Sequence, residues 1–165
     1  METVNLYVSQ ICVWIFVGLA LSAAWADFRD YLIPNRISIG LLLLYPAFVL
    51  SSPQVIDWQN AGLIAGGVFL FGLMCFATRV MGGGDVKFMT VCALWAGPDL
   101  ALPFMYFTAL TGGMMSLAAL MRVKYGWIIG FPGAGWADTK VPYGVAIATG
   151  ALYAASQLMA GAVQV

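Results

Sequence analysis

The stretch from residue 6 to residue 26 contains 21 residues and no charged side chain. A transmembrane helix needs about 20 apolar residues to cross about 30 Å of hydrocarbon. The whole chain of 165 residues is 62% hydrophobic and only 8% charged, whereas ordinary soluble domains carry roughly 25% charged residues. The sequence therefore predicts an integral membrane protein and excludes a soluble globular domain.

Six apolar runs are predicted as membrane helices, and the second and fourth are short for a full crossing. We expect them to form one polytopic all-α bundle, a single domain over residues 1–165. A possible signal-peptide cleavage site at Ala24-Trp25-Ala26 is opposed by the absence of any Lys or Arg before it and by the length of the first run. The six runs are residues 6–26, 37–50, 61–78, 88–97, 100–121 and 142–161.

The basic residues predict the orientation of this bundle. All seven Lys and Arg fall in the segments after the first, third and fifth runs, which lie on one side of a six-span plan. The positive-inside rule assigns that side to the cytoplasm, so both termini are expected outside. These residues are Arg29 and Arg36, then Arg79 and Lys87, then Arg122, Lys124 and Lys140.

Two further patterns concern packing. Gly62 and Gly66 have the GxxxG spacing that is typical of close helix contacts in membranes, and we expect Gly66-Gly67 and Gly112-Gly113 to act in the same way. The segment 125–139 contains several aromatic and aliphatic residues and is predicted to lie in the membrane interface or against the bundle.

Composition excludes several classes of chemistry. The chain has no His and a single Glu, Glu2, which excludes HExxH zinc proteases, Ser-His catalysis and His-ligated iron. A formal net charge of zero offers no electrostatic case for binding nucleic acid. Cys12, Cys75 and Cys92 lie in apolar runs and are interpreted as packing residues. Six Asp residues therefore remain for acid–base chemistry.

The first segment with candidate chemistry is 27–35, directly after the first run. Asp27 is expected in the last turn of that helix, and Pro34 disfavours helical geometry at the residue before it. Asn35 is predicted to cap the second helix. The alternative is that Asp27 and Asp30 only mark the membrane boundary and pair with a nearby arginine.

The second segment is 81–87, where Gly82, Gly83 and Gly84 precede Asp85. Consecutive glycines propagate a helix poorly, and irregular backbone in a membrane protein is tolerated where it is buried in protein or lines a cavity. Because glycine has no Cβ, an extended peptide could lie against this segment. The alternatives are a plain turn or a phosphate nest, although the P-loop spacing is absent.

Together the two segments place an Asp at the same predicted end of two apolar runs. Two adjacent carboxyl groups cannot both ionise easily and therefore share a proton. The ionised group can take a proton from water while the protonated group polarises a peptide carbonyl. Such a pair hydrolyses peptides without a metal or other cofactor, and we predict none.

Both segments resemble the signature motifs of the type IV prepilin peptidases, which belong to the GxGD intramembrane aspartyl proteases. Asp27 stands seven residues before Pro34 in the Ile-Pro-Asn element, and Asp85 ends the Gly-x-Gly-Asp element. The segment 140–144 is similar to the Pro-aromatic-Gly element that opens the last helix of this family. The resemblance implies that Asp27 and Asp85 are catalytic. The residues expected to bind substrate are Gly82, Gly83, Gly84, Asp30, Lys87 and Pro142, with Asp30 or Asp138 contributing to an acidic mouth.

The resemblance also implies a substrate, a prepilin-like protein whose basic leader is removed at the cytoplasmic face of the bacterial inner membrane. Longer members of the family carry a zinc-binding insert with two Cys pairs and also N-methylate the trimmed pilin. This chain has no CxxC, so it resembles the short, cleavage-only members of tight-adherence (Flp) pilus systems. The alternatives are a small proton-coupled transporter and a non-catalytic subunit of a pilus or secretion assembly.

Overall fold

The computed structural model describes residues 2–125 and 141–163. Within those residues the chain forms five α-helices and no strand, so the described part is all-helical as expected. The helices are α1 (Glu2–Asp30), α2 (Asn35–Ser51), α3 (Trp58–Ala77), α4 (Gly83–Tyr125) and α5 (Tyr143–Val163).

The predicted count of six separate helices is not confirmed, because the fourth and fifth runs are two helical arms that meet at a kink inside α4. Only Gly97 leaves helical geometry inside it, with φ 64° and ψ −174°. Glycine adopts a positive φ at no steric cost, and Pro98, which follows it, is favoured at the first position of a helix. The expected loop is therefore a kink at one residue, which divides α4 into a first arm (83–96) and a second arm (98–125).

Contacts show that the chain reverses direction at this kink. Gly97 lines a cavity with Ser9 at the beginning of α1, which we call the distal end of the bundle. Gly112 in the second arm lies beside Tyr143 at the beginning of α5, and Tyr143 shares a cavity with Asp27 near the end of α1. We call that end the site end. Ser9 and Asp27 are separated along α1 by roughly 27 Å, so the second arm returns toward the site end.

Among residues 2–125 and 141–163, three helical ranges have the length and apolar composition to cross a membrane: Thr3–Asp30, Trp58–Ala77 and Gly83–Arg122, the last of which contains both arms of α4. The shorter α2 is apolar but has 17 residues. These features are those of a membrane protein. The helices pack around α4, which contacts α2, α3 and α5, while α1 packs against α2 and α5.

The buried indole of Trp95 joins three of these helices. Its ring stacks on Phe16 of α1 at 4.6 Å and on Phe48 of α2 at 4.9 Å between centroids. Its Nε1–H donates a 3.0 Å hydrogen bond to the carbonyl of Leu41. Because a buried indole N–H needs a partner, this bond positions the first arm of α4 against α2.

Close helix contacts do not occur at the predicted GxxxG pair. A Cβ added at Gly62 or Gly66 would meet nothing within 4 Å, whereas Ala61 and Ala65 are buried. The buried face of α3 therefore carries the alanines that each precede a glycine by one residue, and this face packs against α4. Gly67 and Gly113 are also open, whereas a Cβ added at Gly112 would stand 3.5 Å from Cβ of Ala146 on α5.

Candidate active site

Asp27 lies in the last turn of α1 and is only 4% exposed. Its Oδ2 accepts a 2.6 Å hydrogen bond from the backbone N–H of Gly144 in the first turn of α5. The first residues of a helix have N–H groups without intrahelical partners, so the beginning of α5 supplies a donor to a buried carboxyl group. This bond holds the carboxyl group at the site end of the bundle.

Gly144 has no space for a side chain. A Cβ there would lie 2.9 Å from both Cβ and Oδ2 of Asp27, and 2.8 Å from Cδ1 of Ile33. Val145 donates its N–H to the carbonyl of Pro142 at 3.2 Å, which places Pro142 at the entry to α5. Pro142 was expected to bind substrate; in the structure its immediate contact is with this helix start.

Asp85 occupies the third helical position of α4, after Gly82, Gly83 and Gly84. Its Oδ2 accepts the backbone N–H of Gly82 at 3.2 Å, and Gly82 in turn accepts the N–H of Val86 at 3.1 Å. This is half of a capping box, in which the side chain three residues into the helix satisfies the N–H of the cap residue. The glycines thus begin the helix, and the plain-turn alternative does not describe them.

Gly84 allows the first turn of α4 to lie against the link between α1 and α2. A Cβ at this position would stand 3.3 Å from the carbonyl oxygen of Ile33 and 3.4 Å from its Cβ. The sequence predicted that an extended peptide could lie against these glycines. At Gly84, however, the backbone around Ile33 of this same chain already fills the space where such a peptide would lie.

Two cavities meet at the carboxyl pair. The wide cavity, of about 820 Å³, and the narrow cavity, of about 390 Å³, share four lining residues, which are Asp27, Tyr31, Gly82 and Asp85. The structure therefore brings the two predicted catalytic residues, which belong to separate helices, to one accessible place.

Other predicted residues lie around this centre. Lys87 donates from Nζ to Oδ1 of Asn35 at 3.1 Å, which connects the two signature segments directly. Asn35 is the first residue of α2, and the cap position before it is Pro34, without a side-chain cap bond. The prediction that Asn35 caps α2 is therefore wrong, because its side chain is bound to Lys87.

Asp30 lines neither of the two cavities. Its Oδ1 lies 3.7 Å from Nε of Arg29, and both side chains are largely exposed. This is the boundary pairing that the sequence left open for Asp30. Asp138, Lys140 and nearly all of the segment 125–139 lie outside the described residues.

Sequence reasoning missed two residues at the wide cavity, Tyr31 and Arg79. Both have a positive φ, 51° and 59°, which is uncommon for residues other than glycine. Tyr31 directly follows α1, where its N–H donates to the carbonyl of Asp27 at 2.9 Å, and Arg79 follows α3. No sequence pattern marks such positions, since glycine is the usual residue there.

The arrangement suits acid–base chemistry by a carboxyl pair. In residues 2–125 and 141–163 no group of three or more His, Cys, Asp or Glu side chains is gathered to hold a metal ion. Asp27 and Asp85 face a space large enough for a peptide segment, and each receives a backbone N–H from a glycine. Such a pair can activate a water molecule and polarise a carbonyl group.

Comparisons with known proteins show the family to which the chain belongs. The sequence model of the type IV leader peptidase family matches residues 14–117, a range that contains both Asp27 and Asp85. A prepilin leader peptidase/N-methyltransferase of Bacillus subtilis (strain 168) is 33% identical over 110 residues, which are 65% of this chain and 44% of the relative. The chain thus aligns with less than half the length of this relative. No solved structure matches the chain.

Proposed function

Because this chain belongs to the type IV leader peptidase family, we propose that it is an intramembrane aspartic endopeptidase with Asp27 and Asp85 as its catalytic pair. The observation that carries this proposal is the meeting of the two carboxyl groups at the same two cavities. They come from α1 and α4, and the intervening helices of the chain separate them in sequence.

The proposed reaction uses one proton shared between the two carboxyl groups. The ionised carboxylate takes a proton from a water molecule, whose oxygen attacks the scissile carbonyl carbon while the protonated carboxyl group donates to the carbonyl oxygen. The resulting tetrahedral diol collapses, the carbon–nitrogen bond breaks, and the leaving amine takes a proton from the pair. This cycle needs no metal ion or organic cofactor.

We infer that Asp27 is the more tightly positioned partner. It is buried, and the Gly144 N–H holds one of its oxygens at 2.6 Å. Asp85 is half-buried and its bond to Gly82 is longer, at 3.2 Å. A pair with one fixed and one more open carboxyl group can keep its geometry while substrate and water enter beside Asp85.

The proposed substrate is a prepilin-like protein with a basic leader. The B. subtilis relative is a prepilin leader peptidase/N-methyltransferase, which supports a prepilin as the substrate class. The bond to be cut lies where the leader joins an apolar helix, and it must reach the site end of the bundle. We further propose an Flp-type prepilin and no N-methyltransferase activity, because the chain has no CxxC for the zinc-binding insert of longer members.

The remaining site residues have proposed roles in holding the substrate chain. The backbone at Gly82 and Gly83 borders the narrow cavity and can receive an extended peptide. Lys87 and Pro142 stand at the helix starts that flank the carboxyl pair. Asp30, on the surface beside Arg29, is proposed to attract the basic leader before it reaches the site.

The basic residues support a proposed location in the bacterial inner membrane with the site end toward the cytoplasm. Arg29, Arg36, Arg79 and Lys87 all lie near the starts or ends of helices at the site end, as the positive-inside rule requires of a cytoplasmic face. Both termini would then lie outside.

The test is co-expression with a candidate prepilin that carries a short basic leader, with cleavage scored by mass spectrometry. Asp27→Asn and Asp85→Asn should each abolish cleavage while the variant still accumulates in the membrane. The matched control is Asp99→Asn, because Asp99 is exposed and lines the distal cavity. Full cleavage by either site variant, or none by the wild type with any such prepilin, would contradict the proposal.

A further inference from the structure

A groove runs along the side of the bundle between α2 and α3. Both helices contact the first arm of α4: α2 accepts the bond from Trp95 at Leu41, and α3 approaches Val86 at Gly72. Within the described residues α2 and α3 do not pack closely against each other. The groove has a volume of about 330 Å³. Its lining residues are Asn35, Ser38, Ile39 and Leu42 of α2, Phe69 of α3, and Lys87, Thr90 and Val91 of α4.

The spacing of these residues is that of two helical ridges. On α2 they fall at intervals of three, four and seven from Asn35, and on α4 at three and four from Lys87. Residues at these intervals line one face of a helix. Since both helices begin at the site end, the two ridges run in the same direction away from the catalytic pair. A third helix packs against such ridges by placing its own side chains between them.

The groove changes from polar to apolar along its length. At the site end, the 3.1 Å bond between Lys87 and Asn35 forms its mouth. Farther from the site, the walls are Ile39, Leu42 and Phe69, which are 54%, 50% and 41% exposed. Asn35 also lines the narrow cavity beside Asp27 and Asp85. The groove therefore adjoins the catalytic site at this residue.

We propose that this groove holds the apolar helix of the substrate, so that the polar residues before that helix pass over Asn35 and Lys87 into the narrow cavity. The proposal rests on the proposed function, because it assumes a substrate that changes from polar leader to apolar helix at the cleaved bond. From Asn35 to Leu42 the groove extends over about 10 Å, or two helical turns. Docking of those turns fixes which peptide bond reaches the carboxyl pair.

Complementarity of polarity supports this occupant over lipid alone. A wall that only faced acyl chains would need no polar mouth, and polar side chains at membrane depth are costly unless they have a partner. Here Lys87 and Asn35 satisfy one another at the junction between groove and cavity. Their position matches the change from polar to apolar in the proposed substrate.

The first test is photo-crosslinking in the Asp85→Asn background, which should bind substrate without cutting it. Leu42 and Leu43 are adjacent on α2, but only Leu42 lines the groove, and Leu43 is 74% exposed on another face. Each is replaced in turn by p-benzoyl-phenylalanine in membranes that also contain a candidate prepilin. We expect an adduct to the apolar helix of the prepilin from position 42 and at least about fivefold less from position 43.

Equal adducts from both positions, an adduct only to a second copy of this chain, or adducts only to lipid would overturn the proposal. The result does not depend on cleavage. If the wild type cuts no prepilin but position 42 still crosslinks selectively, the proposed function fails and the docking groove stands.

The second test is kinetic and uses the same pair of leucines. Leu42→Trp fills the groove and should raise KM for the prepilin about tenfold, because overpacking a fitted contact is unfavourable. Leu43→Trp should leave KM within about twofold of the wild type. Equal KM values for the two variants, with equal amounts of folded protein in the membrane, would also overturn the proposal.

Discussion

Across 117 positions of sequence, the backbone N–H of Gly144 donates a 2.6 Å hydrogen bond to Oδ2 of Asp27. This contact joins the beginning of α5 to the end of α1. It places a helix N-terminus, which carries partial positive charge, directly against one member of the carboxyl pair. The site is thus built from three helix ends, those of α1, α4 and α5.

We predict that Gly144→Ala lowers cleavage about 100-fold, because displacement of a reacting group by about 1 Å costs that much in rate. The added Cβ would stand 2.9 Å from Asp27 Oδ2, so the carboxyl group or α5 must move. The measurement is the cleavage rate of a co-expressed prepilin. Gly113→Ala is the control, since a Cβ there meets nothing within 4 Å. A Gly144→Ala variant as fast as Gly113→Ala would show that this close contact has no role in catalysis.

The bond between Lys87 and Asn35 predicts coupled effects on cleavage. Lys87→Ala and Asn35→Ala should each slow the reaction, and the double variant should be little slower than the worse single variant. Residues that share a hydrogen bond usually show a coupling of about 0.5–3 kcal/mol in such a cycle. The measurement is kcat/KM for the four proteins. Additive effects would mean that the two side chains act separately.

Replacement of Gly150, which lines neither cavity at the carboxyl pair, is predicted to lower stability. A Cβ at this position would lie 2.5 Å from the backbone carbonyl oxygen of Phe104 in the second arm of α4. Gly150→Ala should therefore separate α4 from α5 and lower the free energy of unfolding by about 1–3 kcal/mol. Thermal unfolding in detergent measures this change. Gly62→Ala, at an open helical position, should be neutral or slightly stabilising, and an equal loss there would contradict the packing described.

Truncation of the buried Trp95 is predicted to lower the free energy of unfolding by more than the Gly150→Ala change. Trp95→Ala removes two ring stacks and the hydrogen bond to Leu41, and should destabilise the protein by about 3–5 kcal/mol. Trp14 on α1 is 64% exposed, so Trp14→Ala should cost less than about 1 kcal/mol. Denaturant unfolding of the detergent-solubilised proteins would compare them. Similar losses of stability in the two variants would contradict the description of Trp95 as a core residue that joins three helices.

Much of the site was recognisable in the sequence because its parts are local. The seven-residue interval from Asp27 to Pro34 and the run of three glycines before Asp85 each lie within one short segment. Short-range geometry follows from such segments, since proline and glycine restrict or free the backbone in known ways. The expectation that an apolar bundle would bring the two segments together needed only hydropathy and charge.

The errors came from features that depend on neighbours. The GxxxG pair Gly62 and Gly66 is open, and the alanines before them pack instead. Asn35 binds Lys87 instead of capping α2. In each case the local sequence is compatible with several contacts. The orientation of each helix about its axis determines which of those contacts forms.

The amino-acid sequence by itself determined that the protein is an apolar helical membrane protein with two acidic motifs, because composition, charge placement and residue spacing are properties of the chain alone. Only the tertiary structure decided that Gly144 would reach Asp27, that the chain would turn at Gly97, and that α2 and α3 would leave a groove. Those relationships depend on which faces of separate helices meet, and packing of side chains from distant parts of the chain selects those faces.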